Sequence, residues 1–86
     1  MYSIVYTKRA INDIALLKNN KLDRKAKDLI KILRENPYKT PPNFEKLQGK
    51  LKGALSRRIN VKHRLVYQVF ENEKVVKIIS LWSHYE

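Results

Sequence analysis

An α+β fold, with two N-terminal helices packed on a mostly antiparallel sheet of four to five strands, is the class this sequence predicts. Three observations predict it. Two successive stretches between Lys8 and Glu35 carry apolar residues at helical spacing; all three prolines then fall within residues 37–46; and after Gly49 and Gly53 the chain reads as strands separated by short polar turns. With 86 residues, one domain around a single core is expected.

The opening residues 2–6, YSIVY, are β-branched and aromatic and predict a strand with Tyr2, Ile4 and Tyr6 on one face. Thr7 offers an N-cap for a helix from Lys8 to about Lys18, where Ile11, Ile14, Ala15 and Leu17 follow helical spacing, and NNK at 19–21 turns the chain. Asp23 is expected to cap a second helix running to about Glu35, with Leu22 as a staple and Ala26, Leu29, Ile30 and Leu33 as its apolar stripe; Asn36–Pro37 ends it. Such a helical hairpin needs a sheet to cover its seam. PYKTPPNFEK, residues 37–46, reads as an ordered loop without regular structure, leading from the helices to the sheet.

Segments 54–60, 63–70 and 75–84 then read as a meander, with turns at Asn60–Lys62 and at residues 71–74. Alternation sets Ser56, Arg58 and Asn60 on the polar face of the first of these strands, and Arg64, Val66 and Gln68 on one face of the next. In the last strand Val76, Ile78, Ser80, Trp82 and His84 share a face, opposite Val75, Ile79, Leu81 and Tyr85.

Nineteen Lys and Arg against eight Asp and Glu give a net charge of +11, spread as +5 over residues 1–36 and +6 over residues 37–86. Self-repulsion of that size asks for a polyanionic partner, with nucleic acid the leading candidate. The absence of cysteine excludes disulfides and thiolate metal sites, and two histidines are too few for a zinc centre, so metal-independent chemistry without a cofactor is expected. No run of about 18 apolar residues and no secretory pattern at the N-terminus is present, so no membrane is involved and a cytoplasmic protein is expected.

The charge is densest in GALSRRINVKHRLVY, Gly53 to Tyr67, where Arg57, Arg58, Lys62, His63 and Arg64 stand among apolar residues. Two antiparallel strands here turn Arg58 and Arg64 toward one solvent-facing surface while Leu55, Ile59, Leu65 and Tyr67 face a core. Their forked donors suit phosphate oxygens; the bland alternative is a cross-strand ion pair, for which few acids are nearby. Arg57 alternates onto the Leu55/Ile59 face as an edge or packing residue.

RNA carries its own nucleophile, the ribose 2′-OH, so its cleavage needs only a base, a cation for the phosphorane and an acid for the leaving 5′ oxygen. For the acid, His63 and His84 are the near-neutral side chains. His63 is placed on the face opposite Arg64 and reads as structural; His84, near Trp82 and Tyr85 where a base can stack, reads equally as an acid or as a frayed terminal histidine. Glu45 is the one acid between Glu35 and Glu71, a solvated loop residue or the base. A positive field makes its carboxylate a weaker base and opposes the protonated form of His84, and bound phosphate reverses both effects locally.

The run FEKLQGKLKGALSRRINVKHRLVYQV, with a terminal HY, resembles the Txe/YoeB family of type II toxin–antitoxin toxins, within the RelE-like superfamily. The resemblance spans nearly the whole chain and is most specific at Ser56–Tyr67, at Glu45–Leu47 and at His84–Tyr85. It implies a microbial-ribonuclease-like fold and an endoribonuclease that cuts mRNA in the ribosomal A site and so inhibits translation. By resemblance the general base, the transition-state arginine and the general acid fall on Glu45, Arg64 and His84, the second arginine on Arg58 and the substrate-orienting tyrosine on Tyr85. The chain departs from the pattern at Gln48, where relatives carry a basic residue and where Lys46 and Lys50 are the flanking phosphate-binding candidates; at Leu55, which stands where an aromatic often precedes the Ser-Arg-Arg; and at Glu86, which follows the usual last tyrosine. The implied partners are a small acidic antitoxin, the ribosome with its mRNA, and operator DNA only through the antitoxin complex, with a homodimer left open. A non-catalytic RNA- or ribosome-binding module of the same fold is the alternative reading.

Overall fold

The computed structural model describes residues 1–83; the expectations placed on His84, Tyr85 and Glu86 lie outside the described residues. Ser3–Tyr6 forms β1, Lys8–Asn19 α1, Asp23–Glu35 α2, Glu45–Lys46 β2, Leu55–Arg58 β3, Arg64–Phe70 β4 and Val75–Ser83 β5, with a 3-10 turn at Gly49–Leu51. The strands make one sheet in the order β1-β5-β4-β3-β2, antiparallel except where β1 runs parallel to β5. Both helices pack on one face of this sheet, α1 chiefly against β5. Among the described residues no helix is long and apolar enough to cross a membrane.

The predicted helices form, with two corrections. Thr7 caps α1 as expected, its Oγ1 accepting from the Ala10 amide at 3.0 Å. The buried face of α1, however, runs through Ala10, Asp13 and Leu17, leaving Ile11 56% exposed, because an acid, which apolar spacing does not register, occupies the centre of the buried stripe. In α2 the stripe Ala26, Leu29 and Leu33 is buried as predicted, with Ile30 packed at its margin. Leu22, not Asp23, stands at the N-cap position and makes no side-chain cap bond; Asp23 lies inside the first turn, where its charge favours the positive helix end.

The core joins Leu17, Leu29 and Leu33 of the helices to Leu55, Leu65, Tyr67, Val76, Ile78 and Leu81 of the sheet, together with Ile59 just past β3. Leu55, Ile59, Leu65 and Tyr67 therefore face inward as alternation predicts. The last strand does not alternate through its length. Tyr67 pairs with Ile78 but Val66 with Ser80, so Ile79 is an extra residue against β4, and Leu81, which alternation puts on the opposite face, joins the core with Trp82 packed at its margin.

Helix α1 satisfies the backbone that this irregularity frees. Thr7 donates its hydroxyl to the Ile79 carbonyl at 2.6 Å, while Asp13 Oδ2 accepts from the amides of Leu81 at 2.9 Å and Trp82 at 3.2 Å. One carboxylate oxygen thus serves two successive strand amides.

Candidate active site

The site grows from the strand register. Glu45 pairs with Ser56, Ser56 with Val66, and Arg58 with Arg64, so the side chains of Glu45, Ser56, Arg58 and Arg64 stand on one face of three neighbouring strands. The loop expectation for residues 37–46 holds only to Phe44. Glu45 and Lys46 add a short strand to the edge of β3, because the 3-10 turn between Gly49 at φ +68° and Gly53 at φ +98° folds the chain back, closing with a Leu47 amide to Ala54 carbonyl bond of 3.0 Å.

Glu45 Oε1 lies 3.2 Å from Arg64 Nη1, with the carboxylate side chain 63% exposed and the guanidinium 18%. Solvent screening holds a pair this open to about 0–1 kcal/mol, so it yields readily to a stronger anion. Arg58 faces Arg64 directly across the strands, an arrangement that costs stability unless something negative lies between. Together with Pro42, Asn43 and Ser56 these residues line a cavity of about 300 Å³ with two guanidiniums and one carboxylate on its wall. Ser56 is fully buried beneath it.

Glu45, Arg58 and Arg64 are thus brought together. Lys46 and Lys50 are not brought to them. Lys46 pairs with Leu55, so its side chain belongs to the other face of β2, where it lines a separate cavity with Tyr38, Gln48, Lys52 and Leu55. Lys50 is exposed on the 3-10 turn and lines neither cavity. The described part of β5 ends at Ser83, paired with Arg64; His84 and Tyr85 follow it in the chain, outside the described residues. His63 stacks on Trp82 with ring centroids 3.7 Å apart, which occupies one face of the indole.

Alternation along the sequence puts Arg57 at an edge or in packing. It is fully buried, and β3 is not an edge strand, since β2 and β4 flank it. Its Nε donates to the Tyr67 hydroxyl at 3.1 Å, Nη1 to the Pro42 carbonyl at 2.6 Å and Nη2 to the Pro37 carbonyl at 3.0 Å, and Tyr67 donates to the same Pro37 carbonyl at 2.8 Å. The Phe44 ring lies 5.2 Å from Arg57 Cζ. Burial pushes the Tyr67 phenol above its ordinary value, partly offset by the guanidinium beside it. Sequence reasoning missed what Arg57 does, as it missed Asp13. The available signal was a cation at a core-facing position downstream of a proline-rich loop.

The family model described as YoeB-like toxin of bacterial type II toxin-antitoxin system matches residues 6–85. The chain belongs to the YoeB toxin family. Toxin YoeB of Synechocystis sp. is 34% identical to this YoeB-family chain over 85 residues, covering 96% of each. Among solved structures, the YoeB–YefM toxin–antitoxin heterotetramer from Staphylococcus aureus contains a chain 35% identical, with a TM-score of 0.80 over 99% of each chain. The S. aureus YoeB dimer is 34% identical, with a TM-score of 0.80 over 98% of each chain. The two helices on a five-stranded, mostly antiparallel sheet are the YoeB architecture, and the chain is a toxin of a toxin–antitoxin system.

Proposed function

We propose that this YoeB-family chain is a ribosome-dependent endoribonuclease that cuts mRNA in the ribosomal A site and so arrests translation. The observation that carries the reading is the Glu45–Arg64 pair at 3.2 Å in an open cavity whose other guanidinium, Arg58, has Arg64 directly opposite. A scissile phosphate between the two arginines relieves their repulsion and takes Arg64 from Glu45, freeing the carboxylate as a base. Glu45 then accepts the 2′-OH proton as O2′ bonds to phosphorus; Arg58 and Arg64 stabilise the phosphorane; the bond to O5′ breaks as His84 donates its proton. The products are a 2′,3′-cyclic phosphate and a 5′-OH end, with Tyr85 orienting the substrate and with no metal required.

The +11 charge suits docking on ribosomal RNA and capture by an acidic antitoxin, and the similar S. aureus toxin is solved in a toxin–antitoxin complex with YefM. The same reading includes a cytoplasmic protein, a homodimer like the S. aureus one, and operator DNA bound only through the antitoxin complex.

Toe-printing of mRNA on ribosomes tests the proposal. The wild-type chain is expected to cut in the A site, and Glu45→Ala, Arg64→Ala and His84→Ala each to lose about 100-fold or more in rate, the scale of removing an acid, a base or a charge-stabilising donor. Full cleavage by His84→Ala removes that residue from the mechanism. Translation arrest with intact mRNA replaces the nuclease reading with a non-catalytic ribosome-binding module.

A further inference from the structure

We infer that Arg57 is a positioning residue: from inside the core it fixes the proline loop that carries Glu45 against the sheet that carries Arg58 and Arg64. The inference rests on the proposed pairing of Glu45 and Arg64 at one phosphate.

The loop from Pro37 to Phe44 has an uneven supply of backbone groups. Pro37, Pro41 and Pro42 bring carbonyls without N–H donors, so neighbouring loop backbone cannot satisfy them all. A guanidinium is a compact source of five donors, and Arg57 aims two of its nitrogens at the Pro37 and Pro42 carbonyls, one near each end of the loop. Its third contact, Nε to the Tyr67 hydroxyl, ties the group to β4, and Tyr67 returns a bond to Pro37. Phe44 covers the guanidinium from the loop side. Among the described residues no carboxylate pairs with it, so the fold keeps a buried cation for its donors and not for a counter-charge.

The consequence reaches the cavity through chain continuity. Pro42, held at 2.6 Å, and the adjacent Asn43 form one cavity wall, and Glu45 follows Phe44 directly. Arg58, the next residue after Arg57, points to the opposite face and forms the other wall. One dipeptide of β3 thus holds the loop from within and supplies a phosphate ligand without.

The test compares Arg57→Lys and Tyr67→Phe with Val76→Ala, a core truncation that takes no hydrogen bond from the loop, each verified as folded by circular dichroism and assayed well below its melting temperature. On ribosome-bound mRNA, Arg57→Lys is expected to lower kcat about 10- to 100-fold with KM within about threefold, Tyr67→Phe to lower it less, and Val76→Ala to keep it, since displacement of a reacting group by about 1 Å costs up to 100-fold. Hydrogen exchange is expected to rise at the amides of Asn43, Phe44 and Glu45 in Arg57→Lys, but not selectively there in Val76→Ala. Wild-type kcat in Arg57→Lys, or an equal loss in Val76→Ala, overturns the inference. If the wild-type chain cuts no RNA, the nuclease reading fails separately, and the exchange data decide: unchanged protection of the three amides in Arg57→Lys overturns the positioning role.

Discussion

Two regions of this domain bury a charged side chain for opposite reasons. At the loop side of the sheet, Arg57 sends donors to carbonyls of a segment whose prolines lack N–H groups. At the helix side, Asp13 sends one acceptor oxygen to two amides where β5 slips its register against β4. The sign of each buried charge matches the backbone group left over: surplus carbonyls draw a cation, surplus amides an anion. The two differ in reach. Asp13 also has Arg9 Nε at 3.9 Å, whereas Arg57 is enclosed and has no acid beside it among the described residues. The loop therefore leans on its buried charge more heavily than the bulge does.

The largest effect expected is from Arg57→Met, which keeps the bulk but strands the Pro42 carbonyl, takes one of two donors from the Pro37 carbonyl and removes the donor to the buried Tyr67 hydroxyl. A loss of about 3 kcal/mol or more is expected in urea unfolding, the scale for removing a buried group that satisfies several others. A cost near zero would mean that water replaces the guanidinium and that the two regions do not differ as described. Asp13→Ala should cost about 2 kcal/mol by the same measurement, because two amides lose their acceptor, and Asp13→Asn about half of that, since its amide oxygen can still accept. Equal losses for Ala and Asn would show that charge, not an acceptor, is what the bulge needs.

The smallest effect is expected where a comparable set of partners is fully exposed. Glu71 accepts from Lys74 at 2.7 Å, from Tyr2 at 2.7 Å and from Tyr38 at 3.4 Å. The Lys74 and Tyr2 hydrogen bonds hold its carboxyl below the ordinary 4.5. A carboxyl lowered on folding stabilises the native state fully above its unfolded value and loses that contribution as pH falls through the lower, folded one. Thermal melts of Glu71→Gln should therefore differ slightly from wild type at neutral pH and converge with it at acid pH below the carboxylate range. A large difference would mean that partners matter without burial, and would remove the distinction drawn between the two buried charges and this surface cluster.

How much of this was legible before folding depended on range along the chain. The α2 stripe and the β3–β4 hairpin, which sets Arg58 opposite Arg64, follow from short-range periodicity and a turn of a few residues. The bulge in β5 was not legible, since strict alternation is the simplest reading of nine strand residues and nothing local marks Ile79 as extra. Asp13 escaped because an acid in a helix is ordinarily counted to the solvent face. Lys46 and Lys50 stood near the candidate site in sequence, but a strand turns consecutive residues to opposite faces, and Lys46 went with Leu55.

By itself, then, the sequence determined the element types, the inward row of Leu55, Ile59, Leu65 and Tyr67, and the facing arginines, all of which depend on neighbours within one hairpin or one helix turn. The tertiary structure alone decided that Glu45 leaves the loop to form an edge strand, and that its carboxylate meets Arg64. It also decided that Arg57, 20 residues from Pro37, and Asp13, 68 residues from Leu81, become the partners of stranded backbone. Such pairings are set by which groups packing leaves unsatisfied, and that is known only once distant segments have met.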